Sequence, residues 1–85
     1  MSDQENNLSN LRLWFSRLPL SEAVGLWHGL GTIVEKAVIG HRFGLHGRPP
    51  IDDSGAIASI TGLPSERTVL RVERWALSSM QKRIE

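Results

Sequence analysis

Ser65, Glu66, Arg67, Thr68, Arg71 and Arg74 stand close together in an 85-residue chain, and their types and spacing suit contact with nucleic acid. Arg67 and Arg71 are one helical turn apart, and each guanidinium can take a guanine edge or a phosphate. Arg74 lies one turn further along that face and is the better match to a phosphate. Glu66 and Glu73 repel phosphate; on such a face they must accept from cytosine or pair with a neighbouring arginine. The helix starts near Ser54 and Ser65 offer free N–H groups for further phosphate contacts. The same pattern also has a plain reading, in which Glu66 with Arg67 and Glu73 with Arg74 decorate a solvated helix face.

Positioning these side chains needs two short helices joined by a tight turn, and residues 54–75, SGAIASITGLPSERTVLRVERW, have that form. Ser54 is a good N-cap, and Ile57, Ala58 and Ile60 give the first helix an apolar face. Gly62 stops it, since glycine takes the left-handed conformation without a Cβ clash. Leu63 follows as a buried hinge, and Pro64 prevents the first helix from continuing. Ser65 caps a second helix, in which Val69, Val72, Ala76 and Met80 recur at three- and four-residue spacings. Ala58, four positions before Gly62, is small where two steeply crossing helices must come close. These are the features of a helix-turn-helix.

The words of this stretch, AxxxGLPxxxTVxRVERW, resemble the DNA-binding segment of MarR-like and related winged helix-turn-helix transcriptional regulators. The resemblance covers residues 48 to 77 and, more loosely, the helix before them. It implies a recognition helix over residues 65–77 that enters the major groove, with Ser54, Ser65, Glu66, Arg67, Thr68, Arg71 and Arg74 at the DNA. The chain departs from the family in two places. Ser65, Glu66 and Arg67 make three residues before Thr68–Val69 where the family usually has two. After Trp75, where the family usually has leucine, ALSSMQKRIE reads as more helix, which leaves no room for a wing.

The rest of the chain reads as support. Residues 1–7 are polar apart from the initial methionine and are expected to be disordered. A helix is expected from Ser9 to Leu18, with Leu8, Leu11, Trp14, Phe15 and Leu18 on one face, ended by Pro19. Ser21 would cap a long helix from Glu22 to Phe43. Gly25, Gly29 and Gly31 each cost that helix about 1 kcal/mol relative to alanine. Either they permit close approach of another helix, from this subunit or a partner, or the helix breaks near Gly29–Gly31. GHRFGLHGRPP, residues 40–50, is a connector. Pro49–Pro50–Ile51 is extended, and the resemblance places a short β-strand there. Asp52 and Asp53 suit the N-terminal dipole of the helix that follows. The aromatic residues Trp14, Phe15, Trp27 and Phe43 fall at core positions, while Trp75 suits an anchor for a second subunit.

Composition excludes several functions. The absence of cysteine removes disulfides, thiol catalysis and Cys-based zinc sites. His41 and His46 lack the i, i+4 spacing of a helical chelate, and neither they nor His28 have a third ligand nearby, so no metal is expected. No phosphate-cradling loop, dinucleotide fingerprint or Ser/His/Asp set occurs, and Asp52–Asp53 is explained by helix capping, so neither an enzyme nor a cofactor is expected. Glu22, His28, Glu35 and Lys36 interrupt the most apolar run and exclude a membrane span there. The polar, acidic start is unlike a signal peptide, which points to the cytoplasm. The formal net charge is +1, with three basic and four acidic side chains in residues 1–40 and seven and five in residues 41–85.

The expectation is an all-α domain of four or five helices, residues 8–85, with a C-terminal helix-turn-helix. It would bind double-stranded DNA as a homodimeric, cytoplasmic transcriptional regulator without cofactor. The alternative is an adaptor or antiactivator that uses the same scaffold, Gly25–Gly31 and Trp75 to grip another protein.

Overall fold

Apolar residues at helical spacing, interrupted by proline and glycine, build five helices in the computed structural model, which describes residues 3–45 and 47–84. They are α1 (Asp3–Ser16), α2 (Leu20–His28), α3 (Ile33–Phe43), α4 (Ser54–Thr61) and α5 (Glu66–Ile84), and no strand occurs among the described residues. The all-α architecture agrees with the sequence. Its boundaries differ in instructive places.

Helix α1 buries Leu8, Leu11 and Phe15, as their spacing predicts. It begins at Asp3 rather than Ser9, so residues 3–7, expected to be disordered, belong to its first turns, while Met1 and Ser2 lie outside the described residues. Proline at position 19 ends the run, and α2 starts directly behind it. Pro19, and not Ser21, is the N-cap of α2, with no side-chain hydrogen bond.

The stretch over residues 22–43 is two helices, the second of the two arrangements that its glycines allowed. Gly29 closes α2, and Thr32, with extended backbone angles, opens α3. Thr32 Oγ1 accepts from the Glu35 N–H at 3.1 Å and lies 2.9 Å from Glu35 Oε1, so the threonine and glutamate cap the helix together. Gly29 and Gly31 therefore stand at a corner, while Gly25 lies within α2. A Cβ at Gly25 or Gly31 would meet nothing within 4 Å. At Gly29 the neighbour is the Arg83 side chain, whose Nη2 donates to the Gly29 carbonyl at 2.6 Å. That contact ties the end of α5 to the end of α2.

Gly44 ends α3 in the left-handed conformation (φ 70°), and a Cβ there would stand 2.6 Å from the Arg48 carbonyl oxygen. The following segment returns along the helix end, where the Ile51 N–H donates to the His41 carbonyl at 2.9 Å. Residues 49–51 carry no regular structure, so the short strand implied there is absent. Asp53, and not Ser54, caps α4, its Oδ1 accepting from the Gly55 N–H at 2.9 Å. Gly62 (φ 77°) closes α4 as expected, and Ser65 Oγ accepts from the Thr68 N–H at the start of α5.

Two apolar clusters hold the helices together. Leu8, Leu11, Phe15, Ala23, Trp27, Leu30, Ile39, Ala76, Leu77 and Met80 form the larger, joining α1, α2 and α3 to the C-terminal half of α5. Val38, Ile57, Ala58 and Val69 form the smaller, with Ile51, Leu63 and Val72 packed against it. Ile60, expected on the apolar face of α4, points to solvent at 53 % exposure. Helix α5 takes part in both clusters, and Glu73 lies on it between their contributions.

Glu73 departs furthest from expectation. It is wholly buried rather than displayed on the outer face of α5. Arg12 of α1 clamps its carboxylate through Nε (2.6 Å) and Nη2 (2.8 Å). Arg42 of α3 donates to the same carboxylate from Nε at 3.2 Å. The remaining Arg42 donors reach the Ile51 and Asp52 carbonyls and Ser54 Oγ. No buried side-chain polar atom among the described residues lacks a partner. The hydrogen bond to Glu73 raises the Arg12 pKa above its ordinary value, against the lowering effect of burial. Because the shift is upward, that stabilisation is present below the ordinary guanidinium range and is lost only as pH rises through the raised value, so it is constant around neutral pH.

Glu73→Ala leaves two guanidiniums facing a buried void, and removing one partner of a buried ion pair costs about 3–5 kcal/mol. Urea unfolding should register that loss; Arg12→Ala should cost less, since its side chain is 35 % exposed and solvent screens it. Gly62→Ala should cost about 1–2 kcal/mol from backbone strain alone, because nothing lies within 4 Å of a Cβ there. Gly44→Ala should cost more, as strain and the Arg48 carbonyl act together. Equal losses for the two glycine variants would contradict this account.

Candidate nucleic-acid interface

The buried stripe of α5 fixes which residues face outward. At about 100° per residue, Val69, Glu73, Ala76, Leu77 and Met80 fall on one side of the helix, and all five are buried. The opposite arc, roughly 100° wide, holds Arg67, Arg71, Arg74, Trp75, Ser78 and Lys82. Arg67, Arg71, Trp75 and Lys82 are exposed, and Arg74 and Ser78 are half-buried. Four cations thus share the arc, and among the described residues no acidic side chain lies on it. None of the four forms an ion pair or side-chain hydrogen bond among the described residues.

The two glutamates that weigh against phosphate are directed elsewhere. Glu73 is consumed in the core. Glu66, at the first turn of α5, turns its carboxylate toward the start of α4, where a Cβ on Gly55 would lie 2.9 Å from Oε1. Asp53 Oδ1 is at the same place. Negative charge is favourable at a helix N-terminus, and here the protein's own carboxylates supply it.

The seven residues singled out from sequence therefore separate into three groups. Arg67, Arg71 and Arg74 lie on one outward arc. Ser65 and Thr68 adjoin it at the start of α5, with their hydroxyls 3.1 Å apart and Ser65 engaged in capping. Ser54 and Glu66 belong to the N-terminus of α4. There Ser54 accepts from Arg42, and the two nearby carboxylates make the helix start a poor seat for phosphate.

Lys82, Ser78 and Trp75 were not among those seven and extend the arc. Their signal was available in the period: Arg67, Arg71, Trp75, Ser78 and Lys82 follow one another by steps of four, four, three and four, which keep to one helix face. Helix α5 has 19 residues, about 28 Å at 1.5 Å per residue. Its cations are spread over most of that length. Trp75 is 70 % exposed, in contrast to Trp27, which is buried with its indole N–H donating to the Lys36 carbonyl at 2.7 Å.

No group of three or more metal-ligating side chains occurs among the described residues. His46 lies outside them. No helix among them is long and apolar enough to cross a membrane. Comparison with known protein families, curated proteins and solved structures gave no match.

Since Arg67 and Arg71 are exposed and form no ion pair or side-chain hydrogen bond among the described residues, Arg67→Ala and Arg71→Ala should leave the urea midpoint unchanged. A clear drop for either would mean that the arc is structural.

Proposed function

We propose that this chain is a double-stranded DNA-binding transcriptional regulator in which α4 and α5 form a helix-turn-helix and α5 enters the major groove. The observation that carries the reading is the arc of Arg67, Arg71, Arg74 and Lys82, free of acidic side chains among the described residues because Glu73 is buried and Glu66 is turned toward α4. Unneutralised arginines on a helix face suit guanine edges and phosphates. Ser65 and Thr68, at the end of α5 nearest the turn, are placed for further contacts. Ser54 and Glu66 act on the protein side, holding α4 rather than DNA. The protein acts as a homodimer in this reading, since paired recognition helices address half-sites about 34 Å apart and one helix alone supplies little affinity.

A second reading, an adaptor that binds another protein, is favoured by Trp75 and Leu70, which are 70 % and 36 % exposed on the same helix. Exposed aromatic and aliphatic side chains beside arginine are frequent at protein interfaces.

Fluorescence anisotropy with the duplex upstream of the gene and a scrambled duplex, at two salt concentrations, separates the readings. Salt-sensitive binding is expected from contact with phosphates. Arg71→Glu should abolish it while the helical circular dichroism stays that of the wild type. Unaltered binding by Arg71→Glu, or no binding to either duplex at low salt, would reject the DNA reading and turn the search to a protein partner.

A further inference from the structure

Trp75 is unexplained by the contacts that address a groove. It has no ring partner among the described residues, yet it stands among cations on the outward arc. Arg71, Arg74, Trp75 and Ser78 line one shallow depression of about 240 Å³. Its lining is thus two arginines, one serine and one exposed tryptophan.

We infer that this depression seats one sugar–phosphate unit of the DNA backbone, with the indole covering the deoxyribose and Arg74 and Ser78 donating to the phosphate oxygens. The inference rests on the DNA reading and adds to it a sequence-independent anchor with Trp75 and Ser78 as new members. The major groove is about 12 Å wide, and a helix rises 1.5 Å per residue, so a crossing helix leaves the groove after roughly eight residues. With the turn end of α5 inserted, Arg67 and Arg71 lie within the groove. Trp75, about 6 Å further along the axis than Arg71, meets the groove wall, where the sugar–phosphate chain runs.

The chemistry of the depression matches that occupant. A phosphodiester oxygen accepts from guanidinium N–H and hydroxyl O–H groups, and such contacts position a protein on the duplex without reading sequence. The sugar presents C–H surface, which an exposed indole covers while both lose water. A free inorganic anion would satisfy the arginines and leave the ring uncovered. A polyanion is further favoured because the four cations of the arc extend from Arg67 to Lys82, about 22 Å along the helix.

The test compares wild type, Trp75→Ala, Trp75→Phe, Ser78→Ala and Arg74→Gln by anisotropy on the upstream and scrambled duplexes across a salt series. Trp75→Ala should weaken both duplexes alike, by on the order of tenfold, with the salt slope unchanged. Trp75→Phe should retain most of the affinity, Ser78→Ala should weaken both duplexes alike, and Arg74→Gln should lower the salt slope by about one phosphate contact. Circular dichroism verifies that each variant is folded.

Wild-type affinity in Trp75→Ala, alongside lost binding in Arg71→Glu, would overturn the seat and leave the DNA reading standing. A change in selectivity between the duplexes would overturn it too, by placing the indole at a base edge. Absence of duplex binding in the wild type would remove both readings together. A poly-glutamate peptide that binds as tightly as the duplex and depends on Trp75 would reassign the depression to a protein partner.

Discussion

Glu73 places its carboxylate in the interior and is held there by arginines from two other helices. Arg12 reaches it from α1 with two donors, and Arg42 reaches it from α3 with one. Burying a carboxylate is unfavourable unless opposite charge and hydrogen bonds accompany it. The three helices are thus constrained to one another at the level of Glu73. A rotation of α5 about its axis would strand both guanidiniums, whereas an apolar stripe alone tolerates some slippage. The other donors of Arg42 carry the constraint onward to the carbonyls of Ile51 and Asp52 and to the start of α4. One network therefore sets α5 and the N-terminus of α4 against the same helix.

That constraint determines what α5 displays. With Val69, Glu73, Ala76, Leu77 and Met80 inward, the outward arc must be Arg67, Arg71, Arg74, Trp75, Ser78 and Lys82. Charge is sorted in the same step: α5 sends one acid inward and one to the start of α4, and keeps its outward cations unpaired. A formal net charge of +1 conceals this arrangement, because the total does not register where the charges point.

The corner between α2 and α3 contributes in a different way. Gly29 and the Thr32–Glu35 cap divide what would otherwise be one long helix. The division lets Trp27 and Leu30 join Phe15 and Met80 in the larger cluster while Val38 turns to the smaller one. Arg83 then fastens the far end of α5 to the same corner at the Gly29 carbonyl. Both ends of α5 are held, the near end by Gly62 and the Ser65 cap, the far end by Arg83.

Local signals in the sequence determined the helical class, the end of α4 at Gly62, the Ser65 cap and the apolar stripe of α5. Each depends on a few neighbouring residues and on a period of 3.6. The arginines at 67, 71 and 74 were legible on one face for the same reason. Two further features were present in the sequence but outweighed. Threonine and glutamate at positions 32 and 35 are a capping pair, obscured by continuous apolar periodicity on both sides. Glu73 falls between Val69, Val72, Ala76 and Leu77, on the stripe itself, yet a charged residue is ordinarily assigned to water. Only the tertiary structure decided that Glu73 is buried, since its partners come from Arg12 and Arg42, 61 and 31 residues away. It likewise decided that Ser54 serves Arg42 and that Trp75 has no cover within this chain's described residues. Such outcomes depend on which helices meet, and spacing along one helix carries no information about the charge its neighbour brings.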